Sequence, residues 1–278
     1  MTVGELQAYA AAALSRREGL PDPAREARWL LAHALERPEA WVLAHPGDGV
    51  PERAEAVLRD WLRRRAAGEP AHYITGTCPF WGRPFEVTPA VLIPRPETEL
   101  IVECALRLPR GERPRLLDVG TGSGCLAVTL ALELPGARAV ATDLSPSAVL
   151  VARRNARALG AEVSFAVGDL TAHVRGPFDL VVANLPYVPV AEIPGLSVEI
   201  RGHEPHMALA GGEDGTDLIR GLLSDLPHLL APGGHAMLEM GPRQRVSLGP
   251  VLAGAGLAEV HRGLDHAGVE RVLVVQRG

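Results

Sequence analysis

Apolar residues follow a helical spacing through the first part of the chain. The spacing i, i+3, i+4, i+7, i+8 is met by Ala27, Leu30, Leu31, Ala34 and Leu35. Asp22 and Pro23 precede this stripe as an N-cap and a proline in the first helical turn. A second stripe of the same kind runs from Pro51 to Gly68. Because each helix has a single apolar face, the helices must pack on one another or on a neighbouring part of the protein. We therefore predict a small helical domain over residues 1–70.

Between residues 71 and 95 the pattern changes to short β-like runs broken by glycine and proline. The runs are HYITG, FWGRPFEV and VLIPRP. They predict short strands and a hairpin, so we interpret this stretch as a hairpin-containing linker to a second domain over residues 96–278. A helix is predicted to begin at Pro96, with an apolar face formed by Ile101, Cys104, Ala105 and Leu108.

From about Pro114 onward, short apolar runs alternate with helical patterns. Helices are predicted from about Gly124 and over residues 146–159. The apolar runs are RLLDVG, RAVATD, VSFAVGD, FDLVVANLPY and HAMLEMG. This alternation indicates βαβ units and a parallel sheet that helices cover on both faces.

The end of the chain departs from that rhythm. Two apolar runs, residues 257–261 and 271–275, are separated by a stretch too short for a crossover helix. Parallel strands need a connection of about a dozen residues or more, so this pair is predicted to be an antiparallel hairpin. The fold class is therefore α/β and Rossmann-like, with a mostly parallel seven-stranded sheet and one antiparallel strand. That variant is typical of class I methyltransferases, here with a small N-terminal helical bundle.

Composition excludes several other classes of protein. The chain has 278 residues, 47% of them hydrophobic and 22% charged, and a net charge of −5. It has no apolar run near the ~20 residues of a membrane span and no basic, aromatic-rich stretch. We expect a cytoplasmic, monomeric protein without direct nucleic-acid or membrane binding. His203 and His206 lack further ligand-type neighbours, so no metal is expected. The sequence has no lysine, and asparagine occurs only at Asn155 and Asn184.

A glycine-rich loop directly follows the first predicted strand of the second domain. Its residues are Asp118, Val119, Gly120, Thr121, Gly122, Ser123 and Gly124. Glycines allow a tight turn close to a ligand, and the N-terminus of the following helix presents free N–H groups. The spacing G-x-G-x-G differs from the G-x-G-x-x-G of nicotinamide enzymes. A carboxylate at Asp118 would repel a pyrophosphate but could receive an α-ammonium group.

Two further aspartates follow the next two strands. Asp143 is suited to accepting both hydroxyls of a ribose. Asp169 is suited to accepting an adenine amino group, with Leu170 beside the ring. Together with the loop, these residues indicate S-adenosylmethionine. A dinucleotide, or a loop with a purely structural role, are the alternatives.

The fourth strand ends in a tetrapeptide, Asn184, Leu185, Pro186 and Tyr187. Ligands of open parallel sheets bind beyond the carboxyl ends of the strands, so this segment should face the cofactor. The Asn184 oxygen can accept one N–H of a planar substrate amide, and the carbonyl of Leu185 or Pro186 the other. The nitrogen lone pair then points at the sulfonium methyl, and the ring of Tyr187 can stack on the substrate. The alternative interpretation is a turn that only ends the strand.

In these residues the sequence resembles the bacterial peptide-chain release factor glutamine methyltransferases. The resemblance covers nearly the whole chain. It is carried by EARWLLAHAL, the stretch GEPAHYITGTCPFWGRPFEVTPAVLIPRPETE, the loop DVGTGSG, the tetrapeptide and HEPHMALAGGEDG. The stretch that ends in RPETE, residues 95–99, is the most specific to the family.

The resemblance implies methylation of the glutamine in the Gly-Gly-Gln loop of class-1 peptide chain release factors. It also implies that Gly120 to Gly124, Asp143, Leu170 and Asn184 contact the cofactor. Asn184 to Tyr187 would hold the substrate glutamine, and Phe80 and Trp81 would wall the pocket. The N-terminal domain would dock the release factor, and the segment at Glu204 would form a lid. The family has proline where this chain has Leu185. Because only a backbone carbonyl is needed there, we expect activity to survive.

Other substrates remain open at this point. A ribosomal-protein glutamine methyltransferase would have the same catalytic parts. A DNA or RNA amino-methyltransferase would need a basic and aromatic groove for a flipped base, which is not evident here. A binding module that keeps the fold without catalysis would not require the intact tetrapeptide.

Overall fold

The computed structural model describes residues 1–17, 19–108 and 111–278. The chain divides into two compact units. The first unit, called the helical unit below, comprises residues 1–76 together with the short segment 197–203. The second unit, called the sheet unit, comprises residues 77–196 and 204–278.

In the second half of the chain, helices and strands alternate as the sequence predicts. The helices are α1 (Val3–Leu14), α2 (Pro23–Ala34), α3 (Glu39–Ala44), α4 (Glu52–Ala66), α5 (Ala71–Thr75), α6 (Glu99–Arg107), α7 (Cys125–Glu133), α8 (Pro146–Leu159), α9 (Val198–His203), α10 (Asp217–Leu229) and α11 (Gln244–Gly254). The strands are β1 (Thr77–Phe80), β2 (Arg83–Glu86), β3 (Arg115–Val119), β4 (Arg138–Asp143), β5 (Val163–Val167), β6 (Phe178–Ala183), β7 (Leu230–Glu239), β8 (Leu257–Leu264) and β9 (Glu270–Arg277). Short 3-10 helices cover Pro96–Thr98, Val190–Gly195 and His206–Ala208. Within the described ranges, no helix is both long and apolar enough to cross a membrane.

The helical unit forms from the amphipathic stripes that the sequence predicts. Asp22 caps α2 by accepting the backbone N–H of Arg25 at 2.9 Å, which satisfies one of the free donors of the first turn. The second predicted helix is confirmed as α4, behind Pro51. The apolar faces pack into one core, in which Leu6, Leu30, Leu31 and Leu58 are fully buried.

A buried cluster of charges links α9 to the long helices of the same unit. The Arg65 guanidinium, only 3% exposed, donates to Glu26 at 2.5 Å and to Glu199 at 2.8 Å. Glu199 also pairs with Arg17 at 2.7 Å. Burial, and then the charge of Glu199, raise the pKa of Glu26 to about 7. Ion pairs of Glu199 with Arg17 and Arg65 therefore hold the segment 197–203 in the helical unit.

Two predicted strands of the linker are wrong. HYITG is not extended, because residues 71–75 form the helix α5. Pro70 precedes the first helical turn, and Gly76 ends the helix in a left-handed conformation at φ +78°, which glycine adopts without strain. Burial of Tyr73 and Ile74 against neighbouring helices overrides their preference for strands. VLIPRP is not a strand either.

The predicted hairpin is confirmed in the sheet unit. β1 pairs antiparallel with β2 through a two-residue turn at Trp81 and Gly82. Both turn residues have positive φ, +50° and +70°, which matches the turn type that fits the twist of a hairpin. Phe80 and Phe85 lie edge to face, with ring centroids 6.0 Å apart, and both are buried in the core.

The main sheet confirms the fold class predicted from the sequence. In the described residues it has seven strands in the order β5-β4-β3-β6-β7-β9-β8. β9 runs antiparallel to β7 and to β8, whereas the other neighbouring pairs are parallel. The predicted tail hairpin is thus confirmed, with its second strand inserted between β7 and β8.

The register of the sheet brings the ends of several strands to one edge. Val119 of β3 lies beside Ala183 of β6, and Ala183 lies beside Leu238 of β7. Asn184 and Glu239 each come one residue later in the chain, so they reach the same edge as neighbours. The glycine loop begins at this edge too, because Gly120 directly follows Val119.

Candidate active site

A cleft opens at the carboxyl ends of the parallel strands. It contains about 750 Å³ of space, part of it open to solvent. Four consecutive strand-end loops supply most of its wall. The predicted site residues that line it are Gly120, Gly122, Asp143, Asp169, Leu170, Asn184, Leu185 and Pro186.

The glycine loop approaches the tetrapeptide closely. Gly120, Gly122 and Gly124 all have positive φ, at +73°, +55° and +83°. A Cβ atom on Gly120 would lie 2.9 Å from Cδ2 of Leu185, and one on Gly124 would lie 3.0 Å from Cβ of Ala152. The loop therefore requires glycine both for its turn and for its packing.

Asp118 lies beneath the loop and is fully buried, so it does not line the cleft. Its Oδ2 accepts from the Thr121 hydroxyl at 2.6 Å and from the Ala127 N–H at 3.1 Å. Its Oδ1 is buried and has no hydrogen-bond partner among the described residues. Burial raises the pKa of Asp118 to about 7. The second oxygen thus leaves a strong acceptor unsatisfied behind the loop.

Asp143 holds two segments of the cleft wall together. Its Oδ2 accepts from the N–H of Gly122 and its Oδ1 from the N–H of Ser145, both at 2.8 Å. Burial raises the pKa of the carboxyl group, although the two backbone donors act in the opposite direction. A carboxylate has about four acceptor positions, so a ligand can still be bound on the cleft side.

The loop after β5 presents Asp169 and Leu170 to the cleft. Leu170 has a left-handed backbone at φ +45°, which is uncommon outside glycine and marks strain that the surrounding structure must hold. The Thr142 hydroxyl donates to the Leu170 carbonyl at 3.0 Å. This bond fixes the unusual conformation, and with it the Leu170 side chain at the cleft.

Asn184 belongs to a chain of hydrogen bonds that leads into the core. Its Nδ2 donates to the hydroxyl of Thr98 at 2.9 Å, and that hydroxyl donates to Glu239 at 2.6 Å. The hydroxyl of Tyr187 donates to the other oxygen of Glu239 at 3.1 Å. Thr98 and Glu239 are each 1% exposed. Burial is the main cause that raises the pKa of Tyr187 and of Glu239.

The backbone beyond the tetrapeptide is tied to the segment 205–212. Val188 donates to the carbonyl of Leu209 at 3.0 Å and accepts from Gly211 at 2.9 Å. A Cβ atom on Gly211 would lie 2.7 Å from the Pro186 oxygen, so only glycine fits there. Arg95 pairs with the buried Glu204 at 2.5 Å. These contacts hold the segment whose Pro205, Met207 and Ala208 line the cleft.

Several sequence-predicted site residues lie outside the cleft. Phe80 is buried in the core, and Trp81 is partly buried and packs against the same core. The expected wall formed by these two side chains is therefore not seen, because the hairpin turns them toward the core. Tyr187 borders a neighbouring pocket, with its hydroxyl on Glu239. Four predicted cofactor-binding residues of the glycine-rich loop also do not line the cleft: Asp118, Thr121, Ser123 and Gly124.

Sequence reasoning missed part of the wall and most of the supporting network. The missed lining residues are Ala90, Val91, Leu92, Leu144, Ser145, Ala148, Gly168, Met207, Ala208 and Leu218. Leu144 and Met207 are each more than half exposed. Leu144 directly follows Asp143 at the end of a strand, and an apolar residue in that position is a signal that the sequence offers. Thr98 and Glu239 carried no such signal. Among the described residues, no cluster of three or more His, Cys, Asp or Glu side chains forms a metal site.

Solved structures with the same architecture define the class of the fold. The chain matches a methyltransferase from Pyrococcus furiosus with a TM-score of 0.56 and 19% identity, over 72% of this chain and 91% of that one. It matches the 16S rRNA N2 methyltransferase of T. thermophilus, solved with AdoMet and guanosine, with a TM-score of 0.53 and 19% identity, over 73% and 50%. The sheet order and the cleft at its carboxyl edge are those of a class I methyltransferase.

Sequence comparison gives the family. The family model described as "PrmC N-terminal domain" matches residues 5–76, and "Methyltransferase small domain" matches residues 97–193. A relative from Deinococcus radiodurans is 41% identical over 100% of this chain and 99% of its own length. One from Bordetella pertussis is 44% identical over 90% and 93%. Both are named release factor glutamine methyltransferase, and the chain belongs to this family of enzymes.

Proposed function

We propose that the protein transfers a methyl group from S-adenosylmethionine to the side-chain amide nitrogen of a glutamine in a class-1 peptide chain release factor. The observation that carries the proposal is that Asn184 lines the same cleft as the glycine loop and Asp143. A side chain suited to holding a planar amide thus lies where the methyl donor would bind. The family relatives, named for this activity, support the choice of substrate.

The residues of the cleft fit the donor. Asp143, with acceptor capacity left beyond its two backbone partners, would hold the ribose hydroxyls. Asp169 and Leu170 would hold the adenine, and the glycine loop, with the unsatisfied Asp118 oxygen behind it, would hold the methionine part. When bound, S-adenosylmethionine supplies an electrophilic methyl group on a sulfonium. The mixed polar and apolar wall suits a ligand of that kind.

The tetrapeptide would prepare the substrate nitrogen for attack. An amide nitrogen is a poor nucleophile because its lone pair is delocalised into the carbonyl group. Asn184 Oδ1 would accept one N–H, and the carbonyl of Leu185 or Pro186 the other. Both hydrogens are then held and the lone pair points at the methyl group, so that catalysis is mainly orientation and proximity. The proton leaves the nitrogen after transfer, and no strong base is needed.

The direct test is methyl uptake from labelled S-adenosylmethionine. Purified release factors, ribosomal proteins and DNA are incubated separately with the enzyme, and the labelled atom is located by mass spectrometry. We expect label on one glutamine of the release factor. Label on a ribosomal protein or on a base, with none on the release factor, would overturn the proposed substrate.

The helical unit is proposed to dock the release factor. Its support is the match of residues 5–76 to the family's own N-terminal domain. The test measures methylation of an intact release factor and of a Gly-Gly-Gln peptide by the full chain and by a chain that begins at Thr77. The two enzymes are compared after calorimetry has shown that they bind the cofactor equally well. The shortened chain should lose methylation of the intact factor more than of the peptide. Equal losses would contradict a docking role.

A further inference from the structure

We propose that Thr98 and Glu239 are positioning residues that fix which end of the Asn184 amide faces the substrate. This inference rests on the proposed function, in which the oxygen of Asn184 must accept from the substrate. An asparagine amide has two ends of nearly the same shape but opposite hydrogen-bonding character. A flip would present two donors to an NH2 group and would abolish its binding.

The carboxylate of Glu239, the last group in the series of hydrogen bonds from Asn184, fixes the direction of these bonds. Ionised Glu239 can only accept, so the single proton of the Thr98 hydroxyl is used at 2.6 Å toward it. The Thr98 oxygen is then left as an acceptor and takes the Nδ2–H of Asn184 at 2.9 Å. With Nδ2 turned toward Thr98, Oδ1 is the acceptor of Asn184 that faces the cleft.

Burial makes this arrangement strict. Thr98 and Glu239 are 1% exposed, so water does not readily replace a lost partner, and an unsatisfied group there is costly. The sheet register brings Glu239 next to Asn184, since Ala183 pairs with Leu238. Thr98 lies in RPETE, the stretch most specific to the family, and the proposed function gives it no other task.

The groups around Glu239 determine when it accepts. Burial is the largest influence and raises the pKa of Glu239. The hydrogen bonds from Thr98 and Tyr187 and the charge of Arg271 lower this pKa, and the charge of Glu97 raises it. Protonated Glu239 becomes a donor, and the direction of the chain is no longer forced. The turnover number should therefore fall on the acidic side with the titration of Glu239.

The first experiment uses paired substitutions at Thr98. Thr98→Val keeps the shape and removes the hydroxyl, whereas Thr98→Ser keeps the hydroxyl. We expect Thr98→Val to lower kcat by about tenfold to a hundredfold, as for misoriented substrate, with cofactor affinity unchanged by calorimetry, and Thr98→Ser to retain most activity. Equal kcat values for the two variants, or an unchanged kcat in Thr98→Val, would overturn the proposal.

A second variant is designed to reverse the direction of the hydrogen bonds from Glu239 through Thr98 to Asn184, with a side chain of the same shape at position 239. In Glu239→Gln the Gln amide can donate to the Thr98 oxygen. The Thr98 proton then points at Asn184, and the Asn184 amide must flip so that Oδ1 accepts this proton and Nδ2 faces the cleft. We expect kcat to fall at least as far as in Thr98→Val, and the acidic limb of the pH profile to disappear. Wild-type activity, or a persistent acidic limb, would count against the assigned role.

A readout independent of activity comes from the composition of the chain. Only Asn155 and Asn184 carry asparagine amides, so selective 15N-asparagine labelling gives two side-chain NH2 signals, assigned with Asn184→Ala. The Asn184 signal should titrate with Glu239 and shift in Thr98→Val, while that of Asn155 stays constant. An Asn184 signal that stays constant both with pH and in Thr98→Val would refute the positioning role. Absence of release factor methylation by the wild-type protein would instead refute the proposed function.

Discussion

Asn155 and Glu86 exchange two hydrogen bonds between α8 and β2. The Glu86 N–H donates to Asn155 Oδ1 at 2.7 Å, and Asn155 Nδ2 donates to the Glu86 carbonyl at 3.0 Å. The second N–H of the same amide donates to the carbonyl of Ser123 in the glycine loop at 2.8 Å. One buried side chain thus joins the hairpin, the helix and the cofactor loop.

Replacing Asn155 with leucine should destabilise the sheet unit. Three backbone groups would lose their partner, and each buried group left unsatisfied costs about 1–3 kcal/mol. We expect the free energy of unfolding to fall by on the order of 3 kcal/mol, measured by urea denaturation. Arg157→Ala, on an exposed face of the same helix, serves as the control and should stay within about 0.5 kcal/mol. Similar losses in both variants would refute the bridging role.

Asp118 should make stability depend on pH. Its pKa is raised by burial from 3.8 to about 7, so the folded protein binds a proton that the unfolded chain releases. That contribution to the free energy of unfolding is complete below about pH 4 and is lost as the pH rises through about 7, by at most about 4 kcal/mol. Asp118→Asn removes this titration.

The measurement is the difference in unfolding free energy between wild type and Asp118→Asn across pH 4 to 8. Other titrating groups cancel in that difference, because both proteins contain them. The stability of the wild type relative to the variant should decline with rising pH. A flat difference, or one that increases, would show that Asp118 is ionised in the folded protein throughout.

Asp143→Asn should weaken binding of S-adenosylmethionine. One amide oxygen cannot accept from both Gly122 and Ser145 in the way two carboxylate oxygens do, and the ribose would lose an acceptor. We expect the dissociation constant to rise about tenfold or more, equivalent to about 1.4 kcal/mol, by calorimetry. Glu162→Gln makes the same charge change on the exposed surface and should leave the constant unaltered. An unchanged constant in Asp143→Asn would exclude the ribose assignment.

Asn184→Ala should separate catalysis from cofactor binding. The alanine lacks the oxygen proposed to hold the substrate amide, so methyl transfer should be abolished. Cofactor affinity should stay within about tenfold, an allowance of about 1.4 kcal/mol, because Asp143 and the glycine loop are unchanged. Transfer is followed with labelled donor and affinity by calorimetry. Full activity in this variant would disprove the role of Asn184.

Much of the architecture was predictable because it depends on local patterns. Alternating apolar runs predicted the strands, and the short connection before β9 predicted an antiparallel pair. Positions at the ends of parallel strands meet at one edge, which is why Asp143, Asp169 and Asn184 were correctly expected to come together. The helix α5 was missed because the burial of Tyr73 and Ile74 outweighed their strand propensity.

The sequence by itself determined the order of elements, the edge of the sheet that carries the cleft and the glycine positions, since these follow from periodicity and chain geometry. Only the tertiary structure decided that Phe80 and Trp81 turn away from the cleft, and that Thr98 and Glu239 meet behind Asn184. Thr98 and Glu239 are separated by 141 positions. Their contact depends on how the sheet and its flanking turn pack, and no local pattern contains that information.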